Sequence, residues 1–198
     1  MRQKEIFTIG HSNHSLESFI GLIKKYAVQV VVDVRSHPYS KYAPQFNGNH
    51  LPQSLASAGI KYLFMGKELG GRPEGDQFYD HDGYILYSRI AQTTAFQQGI
   101  SRLEAGLKRC RVAIMCSEED PATCHRRLLV GRILEEHNIR VNHIRAGGQL
   151  QSEASLRQAE RSKPGGLQLV FFESQEVDEW KSTRSVLPKK QRRSSSAP

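Results

Sequence analysis

Short apolar runs alternate with helical patterns along the first 145 residues, and this alternation restricts the possible folds most. The runs Glu5–Ile9, Gln29–Val34, Ile60–Phe64, Arg111–Met115 and Arg140–Ile144 have the length and β-branched content of buried strands. Strands that alternate with helices form right-handed βαβ units. The sequence therefore predicts an α/β fold: a mostly parallel sheet flanked by helices, in a Rossmann-like three-layer arrangement. No G-x-G-x-x-G motif follows a strand, so the dinucleotide fingerprint is absent.

Helical patterns and long polar segments fill the gaps between these strands. Ser15 is placed to cap a first helix, and Leu51–Ala58 predicts a second one that Gly59 closes. Tyr84–Lys108 is mostly helical in pattern, interrupted by Gly99 and Gly106. Residues 38–49 and 66–83 are rich in glycine, proline and polar residues and predict two long loops. Loops of this length in a compact domain indicate binding or a lid.

Composition divides the chain into three parts. We expect an α/β domain over residues 1–150, an extension packed on it over 151–180, with a strand-like run at Leu167–Phe172, and a basic, disordered tail over 181–198. The net charge is +8, from 28 basic and 20 acidic residues. Six basic residues and no acid lie in 181–198, which leaves 22 against 20, or +2, for the rest. The body alone therefore gives little reason to expect nucleic-acid binding.

The cysteine content and the N-terminal segment indicate a cytoplasmic protein. Three cysteines, an odd number, do not suggest a disulfide scaffold and are compatible with a reducing compartment. No run of 18 apolar residues predicts a membrane span, and no apolar segment near the first residues resembles a secretory signal. We therefore expect no membrane partner.

Polar side chains follow three of the predicted strands at the points where the strands end. His11 and Ser12 follow the first, Asp33 and Arg35 end the second, and Cys116 ends the fourth. In parallel sheets ligands bind beyond the carboxyl ends of the strands. The sequence therefore predicts a site where these side chains meet, against the alternative that loops are simply polar.

Residues 111–130 predict a strand, a sharp turn and a helix that begins at an Asp120 cap with Pro121 in its first position. Cys124 then lies in the first helical turn, where the helix dipole favours a thiolate. Cys116 is either a reactive thiol or a small buried apolar residue. Cys110 lies about 20 Å away at the other end of the strand, at 3.3 Å per residue, and is expected to be structural.

Arg126 is expected on the apolar face of that helix, where an unpaired charge would be costly. Its partner is either an internal carboxylate, Asp33 or Glu118, or a substrate phosphate or carboxylate. Arg127 is expected on the outer surface. Glu118 is a candidate general acid or base, although turn glutamates are usually just solvated.

The segments IGHSNHSLESFI, VVDVRSHPYSKYAPQFN, GIKYLFMGKELGGRP and IMCSEEDPATCHRRLLV resemble, in this order, the family called domain of unknown function 488. The resemblance spans roughly Ile6 to Ile144. Its most specific part corresponds here to Cys116, Glu118 and the run Cys124, His125 and Arg126. The resemblance implies a small α/β domain in which the cysteines matter, and it implies no particular reaction or cofactor.

Three functions are compatible with these residues. The first is an enzyme that binds a phosphate-bearing or nucleotide-like substrate. Its predicted catalytic residues are Cys116, Glu118, Cys124 and His11, and its predicted substrate-binding residues are Arg126, Arg35, Asp33, His125, Ser12, Lys41 and Arg72. The second is a nucleic-acid-associated module that uses the tail 181–198 and the aromatic residues of the first long loop, among them Phe46.

The third function is metal binding or thiol redox sensing by Cys116, Cys124 and His125. Their spacing matches no common zinc motif. On a regular helix, moreover, the adjacent Cys124 and His125 would point about 100° apart, which argues against a shared ion. We therefore assign no metal ligand at this point.

Overall fold

The computed structural model describes residues 4–162 and 180–187, and in them a single six-stranded sheet forms. Its strands, in chain order β1 to β6, are Glu5–Gly10, Val30–Asp33, Lys61–Phe64, Val112–Cys116, Arg140–Ile144 and Leu150–Ser152. The spatial order is β3-β2-β4-β1-β5-β6, parallel except for the β5–β6 pair. The pairing of β1 with β4 continues past the strands, where the His11 and Ser12 N–H groups donate to the Cys116 and Ser117 carbonyls.

Helices cover both faces of the sheet, which confirms the predicted α/β fold with three layers. The helices α1 to α7 are Leu16–Lys25, Leu51–Ser57, Gly66–Leu69, Tyr87–Ala91, Thr94–Leu107, Arg132–Glu136 and Glu153–Arg161. Alternating strand residues separate two cores, one against α1 and α2 and the other against α3 to α6. Cys116 belongs to the second core, and Phe46 is buried in the first. α7 packs against β5 and β6.

Two predicted segments differ in detail from the structure. The predicted loop 66–83 contains α3 and a 3₁₀ turn at Asp76–Phe78, because Leu69 is buried in the core. The predicted helix 84–108 is two helices, since the Thr93 hydroxyl accepts a hydrogen bond from the Phe96 N–H and starts a new one. The sequence expected breaks at Gly99 and Gly106, but both lie inside α5.

The chain after β4 departs from the predicted continuous helix. The Asp120 carboxylate caps only a 3₁₀ turn, Pro121–Thr123. Cys124 then has an extended backbone, with φ −102° and ψ 137°. A π-helical segment, Arg126–Gly131, follows and runs into α6. Cys124 therefore precedes the helix instead of lying in its first turn.

The part of the C-terminal segment that the structure describes, 180–187, lies against the segment before α4. The Ser182 N–H donates to the Ile85 carbonyl and the Ile85 N–H donates to the Ser182 hydroxyl, at 2.8 and 2.9 Å. The Trp180 indole donates to the Leu128 carbonyl at 2.9 Å. We call residues 180–187 the C-terminal strap. The run Leu167–Phe172 and residues 188–198 lie outside the described residues, so the extension and the tail remain predictions there.

None of the helices in 4–162 and 180–187 has the length and apolarity needed to cross a membrane.

Candidate active site

A cavity of about 480 Å³ opens at the carboxyl edge of the sheet, where the sequence predicted a site. Its wall combines four parts of the chain: the loop after β2, the segment before and at the start of α4, the chain after β4, and the C-terminal strap. Several residues reach it from each part, and they are Arg35, Ser36, His37, Tyr39, Ser40, Gly71, Arg72, Ile85, Tyr87, Cys116, Ser117, Glu118, Thr123, His125, Ser182, Arg184, Ser185 and Val186.

Two thiols, a carboxylate and an imidazole meet on one side of this cavity. The Cys116 and Cys124 thiols donate to the same oxygen, Oε2 of Glu118, at 3.2 and 3.0 Å. Nδ1 of His125 lies 3.6 Å from the Cys116 sulfur. Cys116 and Cys124 are 4% and 1% exposed, so the thiols are almost wholly withdrawn from solvent. We call these four residues the thiol cluster.

The backbone around the cluster fixes the orientation of His125. Its Nε2 lies 2.9 Å from the Val34 carbonyl oxygen, which can only accept, so Nε2 carries a proton. Nδ1 is thereby directed at the Cys116 sulfur. The ring packs on Gly71, where a Cβ atom would lie 2.4 Å from the ring carbon Cγ. Glycine at position 71 is what allows the imidazole to lie this close to the chain.

The two thiols differ in acidity. The neighbouring Cys124 sulfur raises the pKa of Cys116, and burial and the nearby Glu118 charge raise it further. Burial also disfavours a Cys124 thiolate, but the neighbouring Cys116 and the positive charges of Arg126 and His125 outweigh it and lower the pKa of Cys124. Burial would lower the pKa of His125, yet its contact with Cys124 raises it.

Arg126 anchors the loop after β4, which carries Glu118 and Glu119. Its guanidinium is fully buried and donates to the carbonyl oxygens of Glu118 and Glu119, the latter at 2.6 Å, and to the Thr8 hydroxyl at 3.3 Å. Within 4–162 and 180–187, neither of the predicted partners, Asp33 and Glu118, forms a salt bridge with it. The prediction of a direct carboxylate or substrate clamp is corrected accordingly: carbonyl dipoles satisfy the donors, while the charge acts on the thiols.

A second polar cluster joins the ends of β1 and β2. Asp33 accepts from Arg35 through both oxygens, the shortest contact being 2.6 Å, and also from the Tyr62 hydroxyl at 2.8 Å. The Arg35 guanidinium further donates to the Phe46 carbonyl at 2.7 Å and lies 3.0 Å from Nε2 of His11. Arg35 is 4% exposed and lines the cavity. It is therefore a rigidly held cation at the cavity wall.

His11 supports Arg35 and lies outside the cavity lining. Its Nδ1 donates to the Ser12 carbonyl at 2.9 Å, and its ring stacks on Phe46 with centroids 4.5 Å apart. Burial, reinforced by the Arg35 charge, lowers the pKa of His11 to about 4. The ring is thus neutral at pH 7 with both nitrogens engaged, which disfavours the predicted catalytic role and favours a positioning role.

Of the remaining predicted site residues, some line the cavity and others do not. Arg72 reaches the cavity rim, and its N–H donates to the Ser36 hydroxyl at 2.9 Å. Ser12 and Lys41 lie outside the cavity lining; the Ser12 N–H donates to the Ser117 carbonyl, and the Lys41 ammonium lies over the Tyr42 ring. Cys110 is half-buried at the opposite end of β4, as predicted.

Arg127 is the clearest error of helix-face reasoning. The sequence placed it on the outer surface, but it is 8% exposed and forms ion pairs with Glu153 and Glu160 of α7 at 2.9 and 2.7 Å. Glu153 in turn accepts from Nε2 of His143 at 2.8 Å. The outer face of the helix is buried because α7 covers it, and no helical periodicity before residue 137 reveals that.

Arg184 and Tyr87 are the most informative of the cavity-lining residues that sequence patterns did not single out. Arg184 reaches it from the C-terminal strap, within a segment whose composition suggested a solvated tail. Tyr87 lies at the start of α4, and burial together with the charges of the thiol cluster raises its pKa, so its phenol stays protonated. No spacing rule in the sequence links either residue to residues 111–130.

The family model described as domain of unknown function DUF488 matches residues 15–133, more than half of the chain. The chain belongs to this family. The matched region contains the whole thiol cluster and Arg35, but neither β1 nor the C-terminal strap. No curated protein and no solved structure matches the chain.

Proposed function

We propose that this DUF488 protein is an enzyme that binds a phosphate-bearing, nucleotide-like anion in the carboxyl-edge cavity and hydrolyses it or transfers a group from it. One observation carries this proposal: a reactive group of residues and several cations line the same cavity. Cys116, Glu118 and His125 stand on one wall, and Arg35, Arg72 and Arg184 on the others.

The charges of the lining favour an anionic ligand. Arg72 and Arg184 outnumber Glu118, the single carboxylate among the lining residues that the structure describes, while Asp33 balances the charge of Arg35. Arg35 is held by Asp33 in a fixed orientation, so it loses little side-chain entropy when it binds an anion. Arg72 and Arg184 are exposed at the rim and can close on the ligand from two sides. Guanidinium groups pair well with phosphate and carboxylate oxygens.

The thiol cluster supplies the groups that a transfer reaction needs. The Glu118 carboxylate can accept a proton from water or from the Cys116 thiol, 3.2 Å away. The protonated Tyr87 phenol, on the same cavity, can donate to a developing oxyanion. Burial of the thiols makes each of these electrostatic interactions stronger than it would be in water.

Calorimetry tests the substrate class by measuring how inorganic phosphate and a nucleoside monophosphate bind to the full chain. We expect Arg72→Met and Arg184→Met each to weaken binding about fivefold to tenfold, as one charge-assisted hydrogen bond at an exposed rim is worth about 1 kcal/mol. Arg109→Met, at the opposite end of the sheet, is the matched control. Binding that is absent, or equal in all three variants, would overturn the anion site.

Catalysis is tested by release of inorganic phosphate from a panel of phosphomonoesters and by release of the alcohol from a panel of phosphodiesters. We expect Cys116→Ala and Glu118→Gln each to reduce turnover by at least about a hundredfold, the usual effect of removing a proton-transfer or nucleophilic group. Cys110→Ala is the control and retains turnover. Turnover that survives both cluster substitutions would exclude the thiol cluster from the chemistry.

The second candidate function, nucleic-acid association, keeps one supporting observation. Tyr39 and Tyr42 are 74% and 85% exposed in the first long loop, where they can stack on bases. Phe46 is fully buried, so it cannot stack on bases and no longer supports this hypothesis. Deletion of residues 188–198 with RNA and DNA binding measured against salt tests it, because the slope of affinity against salt counts the lost phosphate contacts. An unchanged slope would leave the basic residues without a role.

A cytoplasmic location belongs to the same proposal. All three cysteines are free in the structure, and two of them form the thiol cluster, which needs reduced sulfur. Reducing compartments keep such thiols intact.

A further inference from the structure

The geometry of the thiol cluster points to a mononuclear metal site: we propose that Cys116, Cys124 and His125 together bind one Zn²⁺-like divalent ion. Their three ligand atoms all lie within 4.8 Å of one another. Ligand atoms around a tetrahedral zinc ion, bound at about 2.0 to 2.3 Å, are separated by about 3.3 to 3.8 Å. The 3.6 Å between the Cys116 sulfur and Nδ1 of His125 falls in this range.

The argument against a shared ion from helix geometry is overturned by the backbone at Cys124. Its extended conformation places it outside the regular helix, so the 100° separation of neighbouring helical residues does not apply. The bend between the 3₁₀ turn and the π-helical segment brings the Cys124 sulfur and the His125 ring to the same side. The sequence spacing of 116, 124 and 125 becomes a site only through this bend.

Contacts around the three ligands match those of metal-binding residues. Metal-bound histidines usually donate their second ring N–H to a carbonyl or carboxylate, and here Nε2 of His125 donates to the Val34 carbonyl at 2.9 Å. This contact leaves Nδ1 free to bind an ion. Two sulfurs and one imidazole are ligands that favour zinc over magnesium or calcium.

The site has the composition of a catalytic rather than a structural zinc centre. Three protein ligands leave a fourth position, as in zinc enzymes that bind water or substrate there. Cys116 and His125 line the cavity, so the fourth position opens toward it. The Glu118 oxygen lies 3.0 and 3.2 Å from the sulfurs, so it would lie near a bound ion and could take a proton from water bound there.

This inference deepens the proposed function and rests on it only for the role of the ion in the reaction; metal binding itself requires no substrate. It makes Cys116 a ligand rather than a nucleophile. The binding step balances without a redox partner. The ion would displace one proton from Cys116 and one from the Cys124–His125 pair, three bonds from the two sulfurs and Nδ1 of His125 would form to it, and two protons would pass to the buffer.

The test uses the full chain without a histidine tag. We expect about one Zn²⁺ per chain by elemental analysis, about two protons released per ion in weakly buffered titration, and thiolate-to-metal charge-transfer absorption when Co²⁺ replaces zinc. Cys116→Ser and Cys124→Ser should lower the affinity at least about a hundredfold. Cys110→Ser is the matched control and should bind as the unaltered chain does.

A second measurement on the unaltered chain guards against variants that fail to fold. Bound Zn²⁺ should protect Cys116 and Cys124 from iodoacetamide at least about tenfold, while Cys110 reacts equally with and without the ion. Absence of uptake by the folded chain, or equal labelling of all thiols with and without zinc, would overturn the site. A Cys116–Cys124 disulfide that forms in mild peroxide despite saturating Zn²⁺ would also overturn it and favour a redox pair.

The two proposals fail separately. Zinc uptake without phosphate binding would refute the anionic substrate and keep the metal site. Phosphate binding that needs Arg72 and Arg184 but no metal would do the reverse and return Cys116 to the role of a nucleophile.

Discussion

Alanine in place of Gly10 would put a methyl carbon 1.7 Å from the Glu118 carbonyl oxygen and 2.8 Å from the Cα atom of Glu119. Ordinary contact begins at 3.4 Å, so the loop after β4 must retreat by about 1.7 Å, the difference between the two distances. That loop provides two of the carbonyl acceptors of the fully buried Arg126. The substitution therefore removes acceptors from a buried cation.

The expected cost follows from these lost contacts. A hydrogen bond to a charged group contributes about 1.5 to 3 kcal/mol, so losing two of them lowers the free energy of unfolding by about 3 to 6 kcal/mol. This is a large part of the roughly 5 to 15 kcal/mol that stabilises a domain. Urea unfolding followed by far-UV circular dichroism measures it.

Gly106→Ala is the matched control, since a Cβ atom at that position of α5 meets nothing within 4 Å. It should raise the free energy of unfolding by up to about 1 kcal/mol, because alanine favours a helix more than glycine does. If Gly10→Ala lowers the free energy of unfolding by less than about 1 kcal/mol, the loop after β4 moves at little energetic cost. The account of Arg126 as the anchor of that loop would then be wrong.

Three further predictions concern pH, the α7 contact and the imidazole. His11 takes up a proton near pH 6.5 when unfolded but only near pH 4 when folded. The free energy of unfolding should therefore fall by about 3 kcal/mol as the pH drops through this window. His11→Asn should make the free energy of urea unfolding nearly independent of pH between these values. Glu153→Gln should lower the free energy of urea unfolding by about 3 kcal/mol, because its buried arginine and histidine partners lose their carboxylate. Glu136→Gln, in an exposed ion pair, should lower it by less than about 0.5 kcal/mol. Gly71→Ala should displace the His125 ring and weaken Co²⁺ affinity at least about tenfold with little change in secondary structure, and equal affinity would contradict the role given to Gly71.

Local sequence patterns were sufficient for most of the fold. Each of the five strands predicted between Glu5 and Ile144 is present within one or two residues, because runs such as Gln29–Val34 are mostly apolar on both faces and suit a covered parallel sheet. Ser15 caps α1 through the Ser18 N–H, as its position before an apolar helical pattern implied. The carboxyl-edge location of the cavity also followed from parallel topology alone.

Errors arose where a long-range contact overrides the local pattern. Arg127 is buried because α7, some 26 residues later, brings Glu153 to it. The regular helix predicted from Pro121 begins only at Arg132, after a 3₁₀ turn and a π-helical segment, and Arg126 in that segment donates to the distant Glu118 and Glu119 carbonyls. Periodicity reports which face of one helix is apolar, and it carries no information about which distant carboxylate or carbonyl will satisfy a buried cation.

The sequence by itself determined the five strands up to Ile144, their parallel arrangement and most of the residues delivered to one edge of the sheet, because burial and backbone hydrogen bonding act over a few residues. Only the tertiary structure decided which of those residues form the thiol cluster, which line the cavity and which lie behind it. It gathered Cys116, Glu118, Cys124 and His125 into one cluster, set His11 behind Arg35, and turned Arg126 away from the cavity. It also brought Arg184 of the C-terminal strap to the cavity from a segment that composition assigned to solvent. These placements depend on angstrom-scale fits, such as the Gly10 and Gly71 contacts, that arise only when distant segments pack together.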